Sequence, residues 1–322
     1  MTAGVDVPAP ADARKSRAPD FFIVGHPKSG TSALYQMLRE HPQIHMPRKE
    51  PAFFVPELRN IKRYDGGIAD YLALFAGARP EQLIGEATTL YLFSHDAAAR
   101  IAEAQPDAQI IAILREPASF LRSLHLQLLQ SNVEEEPDLR KAIALDGPRA
   151  EGRSIPRNSA RPQSLAYSEH VRYTEQLQRY HAAFPREQVL VLIYEEFRAD
   201  NEGTVREVLR FLDLDDAGPV DVIEANPTVG LRSPRAYQTV RSLYLGRSPG
   251  TRAVKGAIKA VTPQRLRRRA IARTQTAHWG APPPADPQLI RELRHRYRPE
   301  VEAVSEYLGR DLVTFWGYDE LA

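Results

Sequence analysis

The sequence contains no cysteine, and this absence excludes disulfide bonds, thiolate catalysis and cysteine-ligated zinc. No stretch approaches the roughly 20 apolar residues that a membrane-spanning helix needs, and the N-terminal segment lacks the apolar core of a signal peptide. No cluster of carboxylates has the spacing of a metal site, so we expect no metal cofactor. Together these absences predict a soluble, cytoplasmic protein.

The chain also lacks a strong net charge, because 43 lysine and arginine residues nearly balance 41 aspartate and glutamate residues. A formal net charge of +2 gives no reason to expect a nucleic-acid partner. With 322 residues, 43% of them hydrophobic, the chain can form one large domain with a buried core. We therefore expect a single domain over residues 19–322 and a disordered leader, rich in Ala, Pro and charge, over residues 1–18.

An apolar segment that begins at Phe21 runs into a glycine-containing turn and then into a helical pattern that extends to about Glu40. Main-chain N–H groups in such a turn approach an anion closely, and the start of the helix adds about half a positive charge. The side chains of Lys28, Thr31 and Ser32 can supply further donors. The segment FFIVGHPKSGTSAL therefore predicts a phosphate-binding loop at the N-terminus of a helix.

Two glycines of this loop, Gly25 and Gly30, fit the pattern G-x-x-x-x-G-K-[ST] of nucleoside-triphosphate-binding loops. Thr31, however, stands where that pattern has its lysine, and the loop lysine is instead Lys28. A magnesium-dependent NTPase also needs an aspartate after a second apolar strand, where this chain has Arg115. A P-loop kinase or NTPase and a non-catalytic nucleotide-binding protein are the alternative hypotheses for this sequence.

Short apolar runs alternate with helical patterns along the chain, at Gln82–Gly85, Gln109–Leu114 and Gln188–Tyr194. This alternation predicts an α/β fold, a P-loop-like parallel sheet flanked by helices, whose ligands bind at the carboxyl ends of the strands. Longer helices are predicted over Leu165–Phe184 and Asn201–Leu212. Residues 132–162 are polar and contain several prolines, so we expect a mobile insertion outside the core.

Arg115 begins the segment R-E-P-A-S-F-L-R-S, in which Pro117 and Ser123 follow two and eight positions later. Because Arg115 ends a strand and Ser123 lies one to two turns into the next helix, both side chains can face the crevice at the sheet edge. A guanidinium and a hydroxyl at that place suit a phosphate group. The alternatives are a helix cap for Ser119 and a surface ion pair for Arg115.

The loop P-K-S-G-T-S-A-L and the segment R-E-P-A-S-F-L-R-S resemble the two nucleotide-binding elements of sulfotransferases that use 3′-phosphoadenosine 5′-phosphosulfate (PAPS). The resemblance implies that Lys28 contacts the bridging oxygen beside the transferred group and that Arg115 and Ser123 bind the 3′-phosphate. Many members carry an arginine where this chain has Phe120, and Arg122 is the nearest candidate for that contact. The implied residues of the 5′-phosphosulfate loop are Lys28, Ser29, Gly30, Thr31 and Ser32.

A third segment, R-K-E-P-A-F-F at Arg48–Phe54, resembles the K-E-x-x-F-F segment of heparan-type and related bacterial sulfotransferases. The resemblance implies that Glu50 is the catalytic base that takes the proton from an acceptor hydroxyl. A solvent-exposed glutamate beside Lys49 is the alternative. In the cytosolic branch of the family a histidine is the base, and we rank His125 first for that role. The histidines near these segments are His26, His41, His45 and His125.

Later segments extend the resemblance to about Trp316, where a helix is followed by G-R-D-L and an aromatic residue. G-E-A-T-T-L-Y is similar to the family segment that borders the acceptor site, which implies that Glu86 and Thr88 bind the substrate, support the residues that do, or are purely structural. N-P-T-V-G-L-R-S-P-R stands where related enzymes contact the cofactor, which implies a role for Arg232. Residues 251–273 contain eight basic residues and no acidic one; they predict a solvated basic face, or contact with an anionic acceptor or a membrane surface.

The function that the resemblance implies is that of a bacterial PAPS-dependent sulfotransferase. Such an enzyme transfers a sulfuryl group in line to a hydroxyl, less readily to an amine, and releases adenosine 3′,5′-bisphosphate (PAP). Glu50 is then the base and Lys28 stabilises the leaving oxygen. The acceptors compatible with the sequence are a carbohydrate, a lipid-linked glycan and a secondary metabolite.

Overall fold

The sheet at the centre of the fold is parallel throughout. The computed structural model describes residues 17–58, 67–131, 133–156, 159, 162–218, 220, 230–231, 279–280, 282 and 284–320. The sheet strands are β1 Phe21–Gly25, β2 Ile44–His45, β3 Leu83–Ala87, β4 Gln109–Leu114 and β5 Val189–Ile193. Their order is β2-β3-β1-β4-β5, and each neighbouring pair is parallel. The predicted α/β fold is therefore confirmed.

Helices fill the connections between these strands and follow the last one. Their bounds are α1 Thr31–Arg39, α2 Gly67–Ala73, α3 Ala97–Ala104, α4 Pro117–Gln130, α5 Leu139–Ala144, α6 Asp146–Ala150, α7 Tyr167–His170, α8 Tyr173–Ala183, α9 Tyr194–Ala199, α10 Asn201–Phe211, α11 Pro287–Leu308 and α12 Leu312–Phe315. Two strands, β6 Gly230–Leu231 and β7 Trp279–Gly280, form a separate antiparallel pair. No helix in the described part of the chain is long and apolar enough to span a bilayer.

Both faces of the sheet are buried, as expected for parallel strands covered by helices. Successive side chains of β1 belong to different hydrophobic clusters. Phe22 and Val24 belong to a cluster that includes residues of α3, α4, α8 and α11. Phe21 and Ile23 belong to a cluster that includes residues of α1 and α10. Because all strands run in the same direction, their carboxyl ends meet at one edge. That edge is where the predicted site residues should converge.

The segment at 132–162 differs from its prediction. Residues 133–156 form α5 and α6, and the buried side chains of Leu139 and Ile143 belong to the main core cluster. Their polar neighbours pair internally: the Arg149 guanidinium lies 2.8 Å from the Glu134 carboxylate, and both side chains are almost fully buried. Leu139 and Ile143 therefore lie in the core, contrary to the expectation of a segment outside it, and the buried charges of Arg149 and Glu134 neutralise each other.

The single helix predicted over Leu165–Phe184 is also wrong, since the chain forms α7 and α8 with a break between them. The Asp146 carboxylate accepts hydrogen bonds from the backbone N–H groups of Tyr167 (3.0 Å) and Ser168 (2.8 Å) where α7 begins. The Gln176 amide donates to two carbonyl groups at the end of α7. Distant side chains therefore stabilise a break that the local pattern does not predict.

Replacing Arg149 with methionine should leave the Glu134 carboxylate buried without its cation. We expect Arg149→Met to lower the free energy of unfolding by about 3–5 kcal/mol, measured by urea denaturation. The matched control is Arg140→Met, which removes the exposed pair at 2.7 Å from Glu292 and should change the stability far less, because solvent screens an exposed pair. Equal losses in the two variants would contradict a stabilising role for the buried pair.

Candidate active site

The loop after β1 is enclosed on two sides. Gly30 is the N-cap of α1 and has a φ of 84°, a left-handed conformation that favours glycine. A Cβ atom at Gly30 would lie 2.8 Å from the Phe197 ring, and one at Gly25 would lie 2.7 Å from Leu92 Cβ. The two glycines therefore allow the backbone of this loop to pass between α9 and the segment that follows β3.

The N-terminus of α1 is suited to an anion. No side chain caps this helix, and its first turn contains no acidic residue. Ser29 in the preceding turn is fully buried, and its Oγ atom has no hydrogen-bond partner in the described part of the chain. Uncapped N–H groups and the helix dipole favour negative charge at this position. This set of donors fits the phosphate and sulfate groups of the expected nucleotide.

Two cations lie beside the loop. Lys28 is half-buried, and its pKa is lowered by desolvation and then by the positive charge of Arg115. Arg115 follows β4, and its Nη1 atom donates a hydrogen bond of 2.6 Å to the Lys28 carbonyl oxygen. The ends of β1 and β4 are thereby joined, and the two positive charges that the sequence predicted for the nucleotide lie close together.

Three further contacts hold Arg115. Its guanidinium carbon lies 4.4 Å from the centre of the Tyr194 ring at the end of β5. Its Nε atom donates to Ser119 Oγ (3.1 Å), and the Tyr173 hydroxyl donates to the Arg115 carbonyl oxygen (2.8 Å). Because these contacts come from different elements, the guanidinium is oriented before an anion binds.

The start of α4 supports Arg115 in a way the sequence did not predict. Glu116, not Ser119, is the N-cap, and its carboxylate accepts hydrogen bonds from the N–H groups of Ala118 and Ser119. Ser123 lies one turn after Ser119 on the same helix face and is buried. The pKa of Arg122 is lowered by burial and by the charge of Arg115, so this side chain also lies within electrostatic range.

The segment that carries Glu50 is fixed to the turn after β3. Thr89 Oγ1 donates a hydrogen bond of 3.0 Å to Glu50 Oε1. Thr88 Oγ1 accepts from the Ala52 N–H (3.1 Å), and the Tyr91 hydroxyl accepts from the Phe53 N–H (3.0 Å). Side chains after β3 therefore determine both the position of this segment and the orientation of the Glu50 carboxylate.

A buried carboxylate organises those side chains. Glu86 is fully buried and accepts hydrogen bonds from the hydroxyls of Tyr71 (2.5 Å), Thr88 (2.7 Å) and Tyr91 (3.2 Å). Desolvation raises its pKa to about 7. Thr88 is fully buried as well. Neither side chain reaches the surface, and both support the backbone next to Glu50; a direct contact of either with the substrate stays a prediction.

This geometry agrees with the comparisons with known proteins. Residues 18–228 match the sulfotransferase domain family. The chain belongs to this family. It is 27% identical over 307 residues to heparan sulfate glucosamine 3-O-sulfotransferase 6 of Homo sapiens, covering 94% of this chain and 75% of the relative. The Mus musculus protein of the same name is 29% identical over 248 residues, with coverages of 76% and 67%.

A solved structure extends the likeness to the fold. The crystal structure of a sulfotransferase from Alicyclobacillus acidocaldarius aligns with a TM-score of 0.66 and 26% identity, over 93% of this chain and 98% of that one. The resemblance inferred from the motifs is thus confirmed, and the protein is an enzyme of the sulfotransferase class. The alternatives of a kinase or NTPase and of a non-catalytic binding protein are set aside.

Two of the described histidines near these segments, His26 and His125, are buried. His125 is buried, and its Nε2 atom is hydrogen-bonded to the Glu136 carbonyl oxygen at 2.8 Å; its catalytic role stays a prediction, which this burial disfavours. His26 is fully buried against Gln176, and desolvation lowers its pKa to about 3. A ring in that environment stays neutral and serves packing instead of proton transfer.

Several contact residues were missed by the sequence analysis. Lys49 donates to the hydroxyls of Thr31 (2.9 Å) and Ser32 (3.2 Å), although only its neighbour Glu50 was considered. Tyr194 was overlooked, although it is the last residue of the predicted strand Gln188–Tyr194, at the edge where ligands of such sheets bind. Arg232 and residues 251–273 lie outside the described residues, as does most of the leader at 1–18.

The C-terminal segment packs against the start of α4. The Tyr318 hydroxyl donates to Glu116 Oε1 at 2.8 Å, and Trp316 Nε1 donates to Glu195 Oε2 at 3.0 Å. The other oxygen of Glu195 accepts from the Glu116 N–H at 3.2 Å. The ending that resembled other family members therefore stabilises the turn immediately after Arg115.

The raised pKa of Glu86 predicts a pH dependence of stability. The folded protein keeps the Glu86 proton up to about pH 7, whereas the unfolded chain loses it near pH 4.5. Stability from this group is thus present at low pH and lost as the pH rises through 7. Between pH 5 and 8, the wild type should lose on the order of 2–3 kcal/mol relative to Glu86→Gln, which does not titrate.

Urea denaturation of both proteins across this pH range measures the difference. The control is Glu103→Gln, an exposed position on α3, which should follow the wild-type curve. Parallel curves for wild type and Glu86→Gln would show that Glu86 does not change its protonation on unfolding.

Proposed function

We propose that this sulfotransferase uses PAPS as its donor and transfers the sulfuryl group to an acceptor hydroxyl. The observation that carries the proposal is the pair of cations at the sheet edge, Lys28 and Arg115, beside the uncapped start of α1. The Arg115 guanidinium donates a hydrogen bond of 2.6 Å to the Lys28 backbone carbonyl oxygen. A nucleotide with phosphate groups at both its 3′ and 5′ positions needs two such separate anion-binding elements.

The residues divide between the two ends of the nucleotide. Lys28, the loop N–H groups and the hydroxyls of Ser29, Thr31 and Ser32 would hold the 5′-phosphosulfate, while Arg115 and Ser123 would hold the 3′-phosphate. PAPS, when bound, supplies the sulfuryl group and a nucleotide leaving group. Lys28 donates a hydrogen bond where negative charge develops, a position at which a fixed donor stabilises the transition state more than the ground state.

Glu50 is the base in this proposal. Its carboxylate is oriented by Thr89 and is carried on a segment that Thr88 and Tyr91 fix by backbone hydrogen bonds. A positioned carboxylate can accept the proton of an acceptor hydroxyl as its oxygen attacks. The burial of His125 and His26 away from solvent supports Glu50 over these two histidines as the base.

The acceptor that we propose is a hydroxyl of a carbohydrate. The support is indirect: the two relatives compared above are named as enzymes that act on glucosamine O-3 of heparan sulfate. A lipid-linked glycan and a secondary metabolite are the other acceptors to include in a screen. Release of PAP from PAPS, followed for each acceptor in turn, identifies the preferred class.

The donor is tested by calorimetric titration of PAP without magnesium, with adenosine 5′-monophosphate and ATP as comparison ligands. PAP should bind more tightly than either, and Arg115→Ala should weaken PAP roughly 10- to 100-fold because a charge-assisted hydrogen bond is lost. Arg100→Ala, an exposed position on α3, is the control and should bind normally. A magnesium-dependent preference for ATP would refute the proposed donor.

Catalysis is tested with Lys28→Ala and Glu50→Gln, assayed with the acceptor that the screen identifies. Lys28→Ala should lower kcat by about 10²–10³-fold while PAP affinity changes less, and Glu50→Gln should lower kcat by about 10²–10⁴-fold. Glu57→Gln, in the same segment, is the control for a general effect of losing a carboxylate. Unchanged turnover in either site variant would remove that residue from the mechanism.

A further inference from the structure

Lys49 is a cation that the proposed mechanism does not use. It precedes Glu50 in the segment between β2 and α2, and its side chain is half-buried. Its Nζ atom reaches the first turn of α1, where it donates to Thr31 Oγ1 at 2.9 Å and to Ser32 Oγ at 3.2 Å. The ammonium group therefore lies at the helix end that favours an anion.

The ammonium group of Lys49 is partly buried without a full counter-charge. Both of its hydrogen-bond partners are neutral hydroxyls, which satisfy two of its three donors. Burial lowers the pKa of Lys49 to about 8, and the negative charge of the adjacent Glu50 opposes this shift only in part. A partly desolvated cation without a full counter-charge is stabilised when an anion arrives.

The two hydroxyls connect Lys49 to the phosphate-binding loop. A hydroxyl that accepts a hydrogen bond from an ammonium keeps its own O–H to donate elsewhere. Thr31 and Ser32 can therefore donate to an anion at the start of α1 while Lys49 reinforces them. The ammonium, the two hydroxyls and the uncapped helix N-terminus converge on one place.

We propose that Lys49 is a second binding lysine for the 5′-phosphosulfate. It contacts the end of the phosphate-binding loop at Thr31 and Ser32 and precedes the base Glu50 in the sequence. This inference rests on the proposed function, since it assumes the same nucleotide. Lys28 belongs to the loop itself, whereas Lys49 enters from the segment that carries Glu50. The 5′ group is then bound from two separate segments of the chain.

The test is calorimetry with two ligands, PAP and adenosine 3′-monophosphate, which lacks the 5′-phosphate. Lys49→Met should weaken PAP roughly 10- to 100-fold and leave the affinity for adenosine 3′-monophosphate unchanged. Lys49→Arg keeps the charge and should recover most of the PAP affinity. Arg48→Met, the exposed neighbour, is the matched control and should behave as the wild type. Thermal unfolding of each variant verifies that it is folded.

Proton uptake provides a readout that a structural lysine would not change. At pH 8 to 9 the wild type should take up protons when PAP binds, because the anion raises the Lys49 pKa, and PAP affinity should fall as the pH rises above about 8. Titration in buffers of different ionisation enthalpy measures this uptake. Lys49→Met and Lys49→Arg should lose it. Among the described residues, the other charged groups at this edge are Glu50, Arg115, Arg122 and Lys28, and Lys28→Ala measures the part of the proton uptake that Lys28 contributes.

Each remaining outcome overturns the proposal in a recognisable way. Unchanged PAP affinity and proton uptake in Lys49→Met would remove Lys49 from the site while the wild type still binds PAP. Equal weakening of both ligands would indicate a structural role. A wild type that binds neither ligand would overturn the proposed function itself, and the Lys49 contact with it.

Discussion

The hydrogen bond from the Arg115 guanidinium to the Lys28 carbonyl oxygen joins the ends of β4 and β1, and the candidate site is arranged around it. The bond brings two like charges together, and their repulsion is one reason why the pKa of Lys28 is lowered. Tyr194, Ser119 and Tyr173 hold Arg115 in this place. The folded protein therefore maintains an unfavourable concentration of positive charge that an anionic ligand relieves, which is the electrostatic basis of the proposed nucleotide-binding site.

On the other side of β1, a buried carboxyl group has the supporting role. Glu86 is buried among three hydroxyls, and Thr88 and Tyr91 accept backbone N–H groups of the segment that carries Glu50. An apolar side chain at position 86 would leave those hydroxyls without an acceptor inside the protein, at a cost of about 1–3 kcal/mol each. The pKa near 7 is a consequence of placing a carboxylate there. It does not mark Glu86 as a group that contacts substrate.

The elements that follow from local patterns could be predicted, and those that depend on distant partners could not. The alternation of apolar runs and helices predicted the parallel sheet, and the glycines at 25 and 30 predicted the turn, because each feature is encoded within a few residues. The core position of residues 133–156 depends on the Arg149–Glu134 pair, and the break before α8 depends on Asp146. The environment of His125 could not be predicted for the same reason: closeness in sequence to Arg115 does not reveal that its ring is buried against the Glu136 carbonyl.

Lys49 and Glu50 carry opposite charges at neighbouring positions of one anchored segment. Because the backbone beyond them is fixed through Ala52 and Phe53, a displacement of this segment must move both groups together. Binding of the donor at Lys49 would then also set the position of the carboxylate that receives the acceptor proton, without any separate conformational step. A buried histidine on α4 has no such connection to the phosphate-binding loop. The coupled movement of Lys49 and Glu50 is a physical reason why the base is better placed on the segment after β2 than on α4.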